Sequence, residues 1–230
     1  MLLNVYFYIF IMLSFLSCTA IYARKHGLEY LSATYVCLVV AAGFLANKIV
    51  SFGPYQVPSA SIIASCTFFI TDIISELWGK EQSLKTARCG MLALILLIIS
   101  QSISQHWPCN PYHQVACEKF NDVLNQTPRI IAASIIAFVI SQTLDIHLFH
   151  AIRRSTKGRA LWMRNNFSTI PAQTIDTIIF VTISFYGIFE TDMILDMIVG
   201  FIAIKFSIAL LDTPFIYLVR IICKKINQST

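Results

Sequence analysis

The sequence predicts an all-α integral membrane protein, a polytopic helical bundle in which residues 1–230 form a single transmembrane domain. Three observations lead there. The chain is 57% hydrophobic and 13% charged, with a mean hydropathy of +0.69, whereas a soluble domain carries about 25% charge. Its apolar residues gather in seven segments, at about 2–22, 30–51, 57–78, 88–106, 130–151, 167–189 and 193–219. Each is close to the roughly 20 residues that cross a bilayer as helix. The connections between them are rich and poor in Lys and Arg by turns, as expected of a chain threading a membrane. At this length hydrocarbon leaves backbone groups no partner outside their own helix.

The elements follow in order. The first segment, "MLLNVYFYIFIMLSFLSC", has no basic residue before its apolar run, so it reads as a retained span rather than a cleaved signal. Arg24 and Lys25 follow it, and the second connection holds nothing basic beyond Lys48. The third segment ends in "TDIISELWGK", and Lys80, Lys85 and Arg88 come next. The fourth runs into the longest connection, 107–128, where Lys119 and Arg129 are diluted by Glu118 and Asp122. Cys109 and Cys117 lie there in "PCNPYHQVAC" and could form a disulfide on an oxidising face or remain two thiols. After the fifth segment comes the most basic stretch, with Arg153, Arg154, Lys157, Arg159 and Arg164. The sixth and seventh are joined without a basic residue, and Arg220, Lys224 and Lys225 end the chain.

This alternation places the N-terminus outside and the C-terminus in the cytoplasm. It also accounts for the net charge of +5 without a nucleic-acid partner. The seven cysteines contain no CxxC pair, so neither a structural zinc nor any other metal or cofactor is expected.

Function is written in the polar residues that interrupt the apolar runs. An ionisable residue in a span costs on the order of 2.5–3.5 kcal/mol on insertion scales. Nevertheless the chain carries Asp72 and Glu76, Asp145, Asp176, and Lys205 with Asp212. Counted along their helices, these fall in the middle and inner half of the membrane. "QTLDIHLF" (142–149) and "QTIDTIIF" (173–180) repeat one pattern, an amide three residues before a carboxylate, which puts both on one helical face. Amides offer donors and an acceptor while carboxylates accept, a combination suited to a flat heterocycle with adjacent N–H groups and a carbonyl. Helix–helix glue is the alternative use of such residues; five acids in that one layer favour a site. No HExxH or GxSxG pattern supports an enzyme.

The stretches "TDIISELWGK", "SQTLDIHLFH", "LWMRNNFSTIPAQTIDTIIF" and "KFSIALLDTPFIYL", in that order over roughly residues 28–220, resemble the queuosine precursor transporter family, also called the vitamin uptake transporter or YhhQ-type family. The resemblance implies a six-helix core, here with one additional N-terminal span, in the inner membrane of a bacterial cell. It implies uptake of a 7-deazaguanine such as preQ0, preQ1 or queuine for transfer-RNA modification. On this reading Gln142, Asp145, Asn166, Gln173, Asp176 and Asn47 bind substrate, with Asn165 among the matching polar positions. Asp72, Glu76, Lys205 and Asp212 serve coupling or gating, with Lys205 balancing Asp212. Partners are the deazapurine and the bilayer, and a homodimer is compatible with the sequence. The rival is a substrate-binding membrane subunit that depends on a separate energising complex.

Overall fold

The computed structural model describes residues 2–125, 127–157 and 161–228. Seven long helices and one short one are interrupted by a single hairpin: α1 (Leu2–His26), α2 (Leu28–Leu45), β1 (Ile49–Phe52), β2 (Tyr55–Pro58), α3 (Ser61–Leu77), α4 (Lys80–His106), α5 (Gln114–Asn125), α6 (Thr127–Ser155), α7 (Leu161–Phe185) and α8 (Thr191–Gln228). All but α5 correspond to the seven segments expected. Arg159, counted above among the basic residues, lies outside the described residues.

The long helices run alternately up and down, so the bundle has two distinct ends. One carries the hairpin and the 107–126 connection. The other, the basic end, carries Arg24, Lys80, Arg153, Arg164 and Arg220.

Five stretches are long and apolar enough to cross a membrane by composition alone: Val5–His26, Leu28–Leu45, Lys80–His106, Pro111–Ser155 and Thr191–Ile226. Helices α3 and α7 fall outside that set, α3 being 17 residues long and α7 diluted by polar residues, and both are the ones most enclosed by the bundle. Ser65–Ser75 of α3 is buried without a break, so α3 is enclosed on every side and presents no stripe to lipid. Half of α7 is buried, including Arg164, Asn165, Asn166 and Gln173. The surrounding helices supply the lipid face: Phe7 and Phe15 on α1, Leu92, Leu96, Ile99 and Ile103 on α4, and Leu195, Val199, Leu210 and Leu218 on α8 are exposed. In water these would be large apolar patches; against hydrocarbon they are the outer surface.

Helix α1 buries the stripe Ile9, Leu13, Leu16, Ala20 and Ala23, at helical spacing, chiefly against α8 and α2. Phe10 meets Phe215 of α8 edge-on at 5.7 Å. The first segment is therefore a packed member of the bundle.

Two expectations need correction. The second segment was expected to stay helical to residue 51. Instead α2 stops at Leu45, and 49–58 form an antiparallel hairpin with Ile49 opposite Pro58 and Phe52 opposite Tyr55. Its turn is Gly53–Pro54, with Gly53 at φ +59°. Alternating β-branched and aromatic residues around a Gly-Pro turn favour a hairpin over helix. The connection 107–128 was read as irregular loop, yet it holds α5, whose first turn is pinned by the Cys109–Cys117 disulfide.

The hairpin rests on α8 at Gly200. A Cβ there would overlap Tyr55 Cβ and lie 2.8 Å from its Cγ. Gly200→Leu should therefore destabilise the protein by about 1–3 kcal/mol through overpacking, read as a lower unfolding temperature in detergent. Gly53→Ala is the control, since its Cβ meets nothing within 4 Å and only the positive φ is strained.

Candidate functional site

Helices α6 and α7 are antiparallel neighbours with a fixed register. Ser141 of α6 donates to Asp176 of α7 (2.9 Å), and Thr169 of α7 donates toward Asp145 of α6 (3.1 Å). With α3 and α8 alongside, this register stacks buried polar groups in four levels. From Asp176 to Arg164 the column spans twelve residues of α7, about 18 Å. The groups are thus spread along an axis, with Asp176 and Lys205 at one end and Glu76 at the other.

The level nearest the hairpin is an ion pair. Lys205 of α8, fully buried, donates to Asp176 Oδ2 at 2.6 Å, while Ser141 occupies Oδ1. The Lys205 ammonium lies 4.2 Å from the centre of the Phe201 ring. Above it a small cavity of ≈ 70 Å³ extends toward Ala46, Pro58 and Ala60 beside the hairpin. Its walls are apolar and aromatic, with Phe68, Phe138, Phe180 and Phe201, and Asp176 is the one charged residue lining it. The lining matches that of small-molecule sites, while the volume lies well below the several hundred Å³ such sites usually have.

The second level joins Asp72 of α3 and Asp145 of α6, both bonded to the Thr169 hydroxyl (3.0 and 3.1 Å). In the third, Asn165 donates to Asp212 Oδ1 of α8 at 2.9 Å, and Asn166 donates to Thr213 at 2.9 Å. The fourth, at the basic end, is an ion cluster. Glu76 is bonded to Arg164, paired with Arg220 at 2.8 Å and approached by Arg153 at 3.9 Å. Arg153 also donates to the Ser75 carbonyl at 3.1 Å, and the Arg164 guanidinium lies 5.4 Å from the centre of the Phe149 ring. One carboxylate thereby ties α3 to α6, α7 and α8.

Both side-chain polar atoms of Gln142 and of Gln173 are buried without a hydrogen-bond partner, as are Asp72 Oδ1, Asp145 Oδ2, Asp212 Oδ2, Asn165 Oδ1 and Asn166 Oδ1. Buried polar groups are seldom left so. The α6–α7 register sets the two glutamines at one height, between the Asp176 and Thr169 levels.

Most of the residues singled out from sequence therefore share one column, but their pairing differs. Lys205 neutralises Asp176, not Asp212, whose partner is Asn165. The two carboxylates of the repeated pattern have different surroundings, an ion pair for Asp176 and a second carboxyl for Asp145. Asn47 stands apart, at the start of the hairpin, donating to the Phe44 carbonyl. Three participants were missed. Arg164 was counted with the cytoplasmic loop but is fully buried in the first turn of α7. Ser141 and Thr169 lie one residue before Gln142 and four before Gln173; their spacing on the helix faces was the available signal.

A lipid-faced bundle with an aromatic cavity ending on a buried ion pair, and a polar column running on to the opposite end, defines the class of polytopic membrane transporters. Residues 58–219 match the family described as "Putative vitamin uptake transporter", and the chain belongs to that family. The chain is 29% identical over 180 residues to the "Probable queuosine precursor transporter" of Bacillus subtilis (strain 168), covering 77% of this chain and 78% of that protein. It is 25% identical over 164 residues to the "Queuosine precursor transporter" of Escherichia coli (strain K12), covering 71% of each. No solved structure matches the chain significantly.

Breaking the Lys205–Asp176 pair from one side should strand a buried charge. Lys205→Met is expected to cost about 3–5 kcal/mol, and Lys205→Met with Asp176→Leu distinctly less than either change alone. Denaturation of the three variants in detergent checks this; additive losses would mean that the pair does not act as a unit.

Proposed function

We propose that this protein imports a queuosine precursor, a 7-deazaguanine such as preQ0, preQ1 or queuine, for transfer-RNA modification, and that it does so by alternating access in the cytoplasmic membrane of a bacterium. The observation that carries this reading is the cavity: aromatic walls for the faces of a flat heterocycle, and the Asp176 carboxylate for its N–H edge. The chemical class of the substrate comes from the printed names of the two relatives.

In this reading the helices part to widen the ≈ 70 Å³ cavity, and the base enters between the phenylalanines and reaches Asp176. Gln142 and Gln173, whose amides lack protein partners, take its remaining donors and acceptors as it moves deeper. Asp145, Asn165 and Asn166 receive it below. Asn47 borders the entrance. The Glu76 cluster is the gate at the basic end: four helices are bound together while it is closed and part when its ion pairs exchange. Lys205 and Asp212, both on α8, register that movement at the upper and lower levels.

The orientation we propose has the hairpin end and the N-terminus outside and the C-terminus in the cytoplasm. The Arg- and Lys-rich end supports it, and so does the Cys109–Cys117 disulfide at the opposite end. The cavity then opens to the side from which an imported molecule arrives.

In cells unable to make or import the precursors, the chain should restore queuosine in transfer RNA when one of them is supplied, and purified protein alone in liposomes should take it up. Uptake that needs a further complex would favour the binding-subunit reading instead. Asp145→Asn and Asp176→Asn should each abolish uptake while leaving protein in the membrane, because the change removes charge but little volume. Normal transport by both would remove the carboxylates from the path.

Gln142→Ala and Gln173→Ala should each weaken precursor binding roughly tenfold or more and should couple in the double variant, since both bonds share one ligand. Single variants that bind like wild type would leave the glutamines as helix–helix contacts. Finally, a cysteine replacing Lys157 should resist labelling by membrane-impermeant reagents in intact cells, and labelling there would invert the topology.

A further inference from the structure

The contact between Asp72, Thr169 and Asp145 does not balance as two carboxylates and a hydroxyl. Thr169 Oγ1 lies 3.0 Å from Asp72 Oδ2 and 3.1 Å from Asp145 Oδ1. A hydroxyl has one hydrogen to donate and two lone pairs with which to accept. It can therefore donate to one carboxylate only, and the other contact is attractive only if that carboxyl carries a hydrogen and donates to Thr169. The remaining oxygens, Asp72 Oδ1 and Asp145 Oδ2, are buried without a hydrogen-bond partner, and the shared Thr169 hydroxyl holds the two carboxyl groups side by side. Both residues are fully buried, and two adjacent carboxylates in such a place cannot both stay ionised.

Among the described residues, the groups that face the pair from the packed elements supply no counter-charge. They are Asp212 from α8, Tyr35 from α2 and, beyond Tyr35, Cys89 of α4. Lys205 is held by Asp176, and Arg164 by Glu76 one turn further along α3.

We infer that Asp72, Thr169 and Asp145 form a proton-binding site whose proton enters with the substrate, which makes the protein a proton symporter. The inference rests on the transport reading for its coupling but not for its proton. The step is a simple exchange: one proton from the hairpin side adds to the carboxylate pair, and the same proton leaves toward the basic end when the substrate does. Glu76, the other candidate for this task by sequence, is committed to three arginines.

Two measurements on the full chain test it. Infrared difference spectra of purified wild-type protein, between neutral and alkaline buffer, should show a protonated-carboxyl C=O band. It should be lost in Asp72→Asn and in Asp145→Asn, and altered in Thr169→Val. A missing band in the wild type, or one unchanged in both Asn variants, overturns the site regardless of any transport. In liposomes, an inward proton gradient of one pH unit at zero potential should support about tenfold precursor accumulation for one proton per substrate, with lumen acidification that requires the precursor. Counterflow of labelled precursor at equal pH on both sides tests the transport reading by itself. Counterflow without gradient-driven accumulation, or accumulation driven by sodium at equal pH, overturns the coupling.

Discussion

The buried ion pair between Lys205 and Asp176 is the contact around which the rest of the bundle is arranged. A lysine at that depth is tolerable only beside a carboxylate, and the pair neutralises both charges. Meeting that need fixes α8 against α7. Ser141, completing the shell of Asp176, fixes α6 as well. The cavity above exists because these helices are held together at its floor while their outer turns carry phenylalanines that line space rather than fill it. Below the pair, the same constraint recurs by other means: a shared hydroxyl, then an amide, then guanidinium groups.

Placing that column in a membrane protein determines which helices may touch lipid. The polar residues concentrate on α3 and α7 together with one face each of α6 and α8. Helices so loaded cannot form the outer wall, and α3 is accordingly enclosed along eleven consecutive residues, Ser65–Ser75. Helices α1, α2 and α4 are apolar and do the shielding. Both α7 and α8 also contain a proline level with the column, Pro171 and Pro214. Each removes one backbone donor from its helix, freeing the Phe167 and Leu210 carbonyls on the exposed side, away from the column.

Much of this was legible in the sequence because hydrophobic periodicity and charge are the quantities a bilayer sorts. The seven long helices follow from run lengths, and the column follows from acids where acids are expensive. The antiparallel α6–α7 pair, with both Gln–Asp motifs at matching heights, follows from a short connection and a repeated pattern. What could not be read was the pairing. Lys205 lies seven residues from Asp212 on its own helix, so the two look like partners on paper. Rotation of α8 against α7 brings Asp176 to it instead, and no local pattern encodes that rotation. Arg164 was misplaced for a similar reason: beside basic residues it looks like loop, and only packing against Glu76 from α3 shows it as interior. The hairpin was overlooked because apolar β-branched residues next to a span read as more span.

The seat of that hairpin on Gly200 has a mechanical consequence. With no room for even a methyl group between Tyr55 and α8, the hairpin cannot slide along the helix, and the two travel as one rigid lever. Whatever displaces α8 at its lysine is carried to the rim, some distance away, where Ser51 and Gln56 face outward. A spin label or fluorophore on either residue is thus a pointer on a dial: it reports the angle of the central helix from outside, without a foreign atom entering the cavity.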